Sequence, residues 1–224
     1  MPERTTELVV RVKICCISSQ LEADMAIGAG ASAIGLVSAM PSGPGVIDET
    51  LIASVSNRTP VGVSAVLLTS LVSATAIIDQ QHRCRTDVLQ LCGLVTHDEL
   101  RRVRDALPGV RLMHVIHVAG EDSIDEAVEM TPFVDAILLD TGSRTGPVRA
   151  LGGTGRTHDW SVSRRIVAST DRAVFLAGGL NAVNVAEAIA TVNPYGVDIC
   201  NGVRSDGRLD PIKLSAFMQA VASV

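Results

Sequence analysis

Aromatic residues are nearly missing: one Trp, one Tyr and three Phe make up 2% of 224 residues, although 47% of the chain is hydrophobic. A core without large rings must be filled by Val, Ile, Leu and Ala, the mix found in parallel strands covered by helices. Lysine is also scarce, occurring only at Lys13 and Lys213, and the formal net charge is -5. No basic stripe is available, so neither nucleic acid nor an anionic membrane surface is expected as a partner, and an anionic ligand must be held by local geometry. Long apolar runs are missing too: AVLLTSLVSATAII (65–78) is broken by Ser and Thr and falls short of the roughly 20 residues a membrane helix needs. The five cysteines are odd in number, two of them adjacent, and no basic-then-apolar leader precedes them. A disulfide framework is therefore not expected, and the reading is a reducing cytoplasm.

What is present is alternation. Short aliphatic runs at 8–15, 32–37, 61–67, 88–91, 111–118, 134–139, 173–177 and 196–200 read as strands. Between them lie amphipathic stretches near 20–29, 48–56, 70–82, 96–107, 122–131, 159–168, 181–191 and 211–223. Several carry helix-start residues: Asp48 with Thr50, Thr96 with Glu99, Asp122 with Asp125, and Asn181 after Gly178-Gly179. Eight strand-helix units predict an α/β chain forming a single (β/α)8 barrel, slightly under the usual size of about 250 residues. An open doubly wound sheet is the competitor, but a dinucleotide glycine fingerprint should then follow the first strand, where CCISSQ stands instead. No linker or low-complexity tract appears, so residues 1–224 are read as one domain, with 1–7 a loose tail.

In such a barrel the chemistry gathers where strands end at their carboxyl termini. VKICC (12–16) delivers Cys15 there, with Lys13 two residues earlier on the same face. If that face is the interior, an ammonium stands beneath the thiol and favours thiolate, making Cys15 a usable proton acceptor; the plain alternative is a small buried hydrophobe. DAILLDTGS (135–143) delivers the carboxylate of Asp140 to a loop long enough to be functional, although Asp also satisfies loop backbone at such junctions. Three glycine-bearing runs follow late strands: LGGTGR (151–156), LAGGLN (176–181) and CNGVRSDG (200–207). Glycine lets backbone approach a ligand closely, and the loops after strands seven and eight commonly cradle phosphate. Gly153, Gly155, Gly178, Gly179, Asn181, Asn201 and Gly202 are the candidates there, with Lys13 added to the substrate-binding set. His114 and His117 are three apart on a strand and point to opposite faces, so a shared metal ion is not expected. His114 is the one read toward the site, and Cys92 at a strand end is a further candidate contact.

At these residues the chain resembles the phosphoribosylanthranilate isomerase family. VKICC (12–16) is similar to the family's VKICG, ILLD (137–140) matches, and GGTG (152–155) with Asp159-Trp160 matches GGTG followed by DW. AGGLN (177–181) with Asn184-Val185, GVD (196–198) and GV (202–203) complete a set that runs the length of the chain in order. The resemblance implies a (β/α)8 enzyme, without cofactor or metal, that performs an Amadori rearrangement of an N-linked ribose 5-phosphate in tryptophan biosynthesis. It implies Cys15 as general base and Asp140 as general acid. Gly153, Gly155, Gly179 and Gly202 would line the phosphate, and Asp198 would lie near the substrate hydroxyls. A small phosphosugar is the expected partner, for a monomer or homodimer.

The chain also departs from the pattern. The segment after the family's second strand carries an Arg for the anthranilate end, whereas SAMPSGPGVID (38–48) has none. Arg144, Arg149, Arg156 or His158 would have to replace it. QLHG is QLCG (90–93), SSGVE is CNGVR (200–204), and Cys16 stands where the family has Gly. These changes are read as gathering at the aromatic half of the substrate. Two other readings therefore stand beside the isomerase: a related phosphosugar isomerase or lyase with a different substrate, and a non-catalytic phosphate-binding barrel.

Overall fold

Side chains that alternate along a strand can bury both faces only if the sheet is covered outside and filled inside, and the chain does both. The computed structural model describes residues 9–41, 43–141 and 157–224. The expected tail at 1–7 lies outside the described residues. Eight parallel strands, β1 (Arg11–Ile14), β2 (Ala33–Val37), β3 (Ser64–Thr69), β4 (Val88–Leu91), β5 (Arg111–His117), β6 (Ala136–Asp140), β7 (Ala173–Leu176) and β8 (Gly196–Ile199), neighbour one another in chain order, and β8 returns to β1 to close the barrel. The closing register pairs Lys13 with Asp198 and Ile14 with Ile199.

Each strand is followed by a helix: α1 (Gln20–Gly28), α2 (Glu49–Arg58), α3 (Ala74–Cys84), α4 (His97–Ala106), α5 (Asp122–Met130), α6 (Trp160–Ser169), α7 (Val185–Val192) and α8 (Pro211–Ala222). Small polar residues start them. Ser19, Asp48, Ser73, Thr96, Asp159 and Asp210 each accept a first-turn N–H, and Pro211 follows its cap at a position where the missing N–H costs nothing. Asp122 opens α5 without capping it, since Glu121 holds the cap position and makes no side-chain cap bond. No helix among the described residues is long and apolar enough to cross a membrane.

Ile14, Ile34, Leu67, Leu89, Ile116, Leu139, Leu176 and Val197 point outward and pack beneath the helices in the main core. Each fully buried aliphatic side chain of this kind contributes roughly 1.5–3 kcal/mol. The alternate residues fill the barrel. Cys15, Ala33, Val37, Val66 and Leu68 cluster on one side, and Met113, Leu138, Phe175 and Ala177 on the other.

Several boundaries differ from those expected: the first strand is Arg11–Ile14, and the seventh helix begins at Val185 because Asn181 Oδ1 accepts the Val183 and Asn184 N–H groups in the turn before it. The third strand begins at Ser64 because Val63 N–H donates to the Pro60 carbonyl (3.2 Å) and Gly62 takes a φ of +98°, turning the chain and leaving Val61 in solvent. The third helix begins at Ala74, where Ser73 caps it. After β8 a short 3-10 helix (Asn201–Val203) leads into a hairpin of β9 (Arg204–Ser205) and β10 (Arg208–Leu209). Asp206 and Gly207, both with positive φ, make its turn, so the end of CNGVRSDG is hairpin rather than part of a phosphate loop.

Candidate active site

A cavity of about 280 Å³ opens at the carboxyl ends of the strands and is lined by Cys15, Gln90, Asp140, Asp198 and the loops after β7 and β8. Beneath it the first and last strands exchange an ion pair. Lys13 Nζ lies 2.8 Å from Asp198 Oδ1, and Lys13 has no exposed surface. Burial opposes the ammonium, but Asp198 and the neighbouring thiols more than offset it and hold Lys13 above its ordinary range. The side chain does not reach the cavity wall; its head group is spent on Asp198, which does line the cavity.

Cys15 faces the cavity one layer above Lys13. Room for both comes from β2: a Cβ on Gly35 would stand 2.9 Å from the Cys15 sulfur and 3.2 Å from Lys13 Nζ. Glycine is required here for close approach rather than for a turn. Asp140 ends β6 and accepts the Thr141 N–H at 2.7 Å. Burial, with the charge of Asp198 added, pushes its carboxyl up to about 6, against Thr141 and Lys13, which pull the other way. Thr141 is itself held: its hydroxyl is 3.1 Å from His158 Nδ1, and His158 Nε2 is 2.6 Å from the Ser163 hydroxyl.

After β7, Gly178 and Gly179 adopt φ of +85° and +68°, and a Cβ at Gly178 would collide with Thr141. No acceptor among the described residues takes the amides of Gly178, Gly179 or Leu180. The side chain of Asn181 is occupied locally, its Oδ1 accepting from Val183 N–H (2.8 Å) and Asn184 N–H (3.3 Å). Its own N–H donates to Asn184 Oδ1. Asn181 therefore shapes the loop instead of presenting free polar atoms to a ligand. Asn201 and Gly202 line the opposite lip, and Gly202 is packed against the Leu180 carbonyl so tightly that no side chain fits.

Three expected contacts are corrected. His114 lies on the outer face of β5, between α4 and α5, in a separate hollow with His97 and Glu129; burial pushes its pKa down to about 4. The register places Met113, Val115 and His117 inward beside Ala136, Leu138 and Asp140, so His117 is the inward histidine. Cys92 packs in the inner apolar cluster without lining the cavity, its thiol pushed up to about 12 by burial. His158 has both ring nitrogens engaged by Thr141 and Ser163 and buttresses the turn after Asp140. Gly153, Gly155 and Arg144 lie outside the described residues.

Gln90, not among the residues expected at the site, is 4% exposed, lines the cavity and has an Oε1 with no partner among the described residues. Its place on the inward parity of β4 was the available signal. Arg204, also not among the expected site residues, is buried and pairs with Glu22 at 3.1 Å. Arg204 donates to the carbonyls of Cys15 (3.1 Å) and Cys16 (2.5 Å) as well. Arg204 and Cys200 thus sit against the end of β1.

A family model described as N-(5'-phosphoribosyl)anthranilate isomerase matches residues 12–220. The chain belongs to this family. It is 36% identical over 206 residues to the N-(5'-phosphoribosyl)anthranilate isomerase of Methanocella arvoryzae, covering 92% of this chain and 94% of that one. To the isomerase of Haloferax volcanii it is 36% identical over 214 residues, 95% and 93% of the two chains. Among solved structures, the phosphoribosylanthranilate isomerase of Thermotoga maritima superposes with a TM-score of 0.82 at 28% identity, covering 96% of this chain and all of that one. A family member solved with reduced 1-(o-carboxyphenylamino)-1-deoxyribulose 5-phosphate gives 0.80 at 26% identity, again over 96% of this chain and all of that one.

Proposed function

We propose that this protein isomerises N-(5'-phosphoribosyl)anthranilate to 1-(o-carboxyphenylamino)-1-deoxyribulose 5-phosphate, a step of tryptophan biosynthesis. The observation that carries the reading is one cavity presenting a thiol, Cys15, and a carboxyl that keeps its proton to about pH 6, Asp140. A thiol and a raised carboxyl facing one cavity suit a reaction that needs a base and an acid on one sugar. Asp140 protonates the ring oxygen, opening the ribose to a Schiff base with the anthranilate nitrogen. The Cys15 thiolate then removes the C2 proton, giving an enolamine that tautomerises to the ketone. No electrons leave the substrate, so the step requires no redox partner.

The open amides of Gly178, Gly179 and Leu180, with the loop at Gly202, suit the phosphate, which solves the problem of binding an anion on an acidic chain. Asp198 suits the sugar hydroxyls, and Gln90 offers to the same ligand an acceptor that no described residue uses. The anthranilate carboxylate is left to Arg144, Arg149 or Arg156, because no Arg or Lys is among the described residues lining the cavity and both ring nitrogens of His158 are engaged. With this reading go a cytoplasmic location and a monomer or homodimer; a solved relative from Thermotoga maritima is described as dimeric.

The test is steady-state fluorescence turnover of freshly generated phosphoribosylanthranilate by wild type, Cys15→Ala and Asp140→Ala. Wild-type turnover abolished in both variants supports the assignment. A folded wild type that binds phosphate and leaves this compound unchanged overturns it.

A further inference from the structure

Cys16 adopts a φ of +62°, a left-handed conformation that a β-carbon disfavours. The residue is nevertheless well housed. Gly45, in the loop after β2, leaves exactly the space its side chain needs in that direction, since a Cβ at Gly45 would stand 2.6 Å from that of Cys16. Arg204 grips the Cys16 carbonyl from below. The thiol so held faces Cys200 across the seam where β1 meets β8, and the two sulfurs are 2.7 Å apart. Both are free thiols, 184 residues apart in sequence, and both line the cavity, which gives a small solute access to them.

We propose that Cys16 and Cys200 are a disulfide-forming site: a reversible, two-electron link across the β1–β8 seam at the rim of the cavity. Bond formation brings the sulfurs from 2.7 Å to about 2.05 Å, a small movement for two side chains already in contact. The oxidant is a low-molecular-weight disulfide. Cys200 thiolate attacks one of its sulfurs, forming a mixed disulfide and releasing one small thiolate. Cys16 then gives up its proton, attacks the Cys200 sulfur and expels the second small thiolate. The two protein thiols are oxidised, one external disulfide is reduced to two thiols, and the released proton goes to the departing thiolate.

The order of attack follows from the surroundings. Hydrogen bonding with Cys16, helped by the Arg204 guanidinium, holds the Cys200 thiol below its ordinary range against the burial that opposes it. Cys16 is pushed upward by its hydrogen bonds to Cys15 and Cys200, so it is the partner that carries the proton. The remaining thiols are placed differently. Cys84 is fully buried under the helices, and Cys92 is packed away from the cavity. Cys15 is the neighbour whose participation has to be excluded.

The experiment treats the whole folded protein with excess oxidised glutathione, quenches it in acid and maps it by mass spectrometry without reduction. The result expected is a mass lower by two hydrogens, a peptide containing Cys16 joined to one containing Cys200, and reversal by dithiothreitol. The Cys15→Ala variant keeps this link, and Cys200→Ser and Cys16→Ser each lose it. A bond that includes Cys15, glutathione retained on Cys16 or Cys200, or thiols that stay reduced while those of the urea-unfolded chain react, overturns the proposal. The link is read without turnover, so its failure leaves the isomerase reading standing, and a protein that fails to isomerise can still form it.

Discussion

Replacing Asp140 by Asn should stabilise the protein at neutral pH while abolishing its turnover. In the folded chain the carboxyl keeps its proton to about pH 6, where an ordinary Asp loses it near 3.8, and burial is the main reason. Between those two values the folded state binds a proton that the unfolded state has released, so stability falls as pH rises through the window and levels off above it. At about 1.4 kcal/mol per pH unit the full cost of the buried carboxylate is about 3 kcal/mol, and partial contact with water lowers it to roughly 2. Asn has nearly the same shape, can accept the Thr141 N–H as Asp does, and never ionises. Urea unfolding of wild type and Asp140→Asn at pH 4 and pH 7.5 isolates the effect, because the other titrating groups cancel in the difference. The variant should match wild type at pH 4 and exceed it by about 2–3 kcal/mol at pH 7.5, a rise in Tm of roughly 5–10 °C for a chain of this size. A difference that stays constant with pH, or an Asn variant weaker at pH 7.5, would show that the site does not strain this carboxyl. The measured gain would be the stability given up to keep an acid at the cavity.

Cys15→Ala should lower kcat by about 10²–10⁴-fold, the span for loss of a general base, while inorganic phosphate still binds with wild-type affinity in a calorimetric titration; loss of both would mean the thiol is structural. Gly35→Ala forces a Cβ against the Cys15 sulfur and, at 3.1 Å, against its backbone, so it should cost about 1–3 kcal/mol in urea and reduce kcat; a variant with wild-type kcat would show that the thiol tolerates displacement. Lys13→Met strands a buried Asp198 and should cost about 3–5 kcal/mol, with Lys13→Met/Asp198→Leu recovering much of it; equal losses in the single and double variants would refute the pairing argument.

The barrel was readable because its evidence is local. Period-two aliphatic runs, helix-start residues and the spacing of the units are all written within about thirty residues of one another, and aliphatic strands with so few aromatics leave little room for another class. The two faces of a strand were separable but not assignable. The alternation in LMHVIHV sets His114 against His117, yet only the pairing of His117 with Asp140 shows which of them turns inward. His158 and Asn181 were visible as polar residues near the site, while their engagement by Thr141, Ser163 and Asn184 depends on how loops fold back on themselves. Arg204 was the least readable: it acts on Glu22 and on the end of β1, 182 and more residues away in sequence, a relation no spacing rule carries.

The Lys13–Asp198 pair joins the first strand to the last, 185 residues apart, and this bears on how the chain comes together during synthesis. An ammonium with no exposed surface cannot be sealed inside a partial barrel without its counter-ion, so a nascent chain that has not yet delivered β8 has no stable place to put β1. The first strand must wait for the last, and closure and consolidation become one late event. A circular permutant opened in the loop between β4 and α4, with the old ends joined, would shorten the separation of Lys13 and Asp198 from 185 residues to about 39 and bring that event forward. The ion pair is therefore a timing element as well as a support for the cavity.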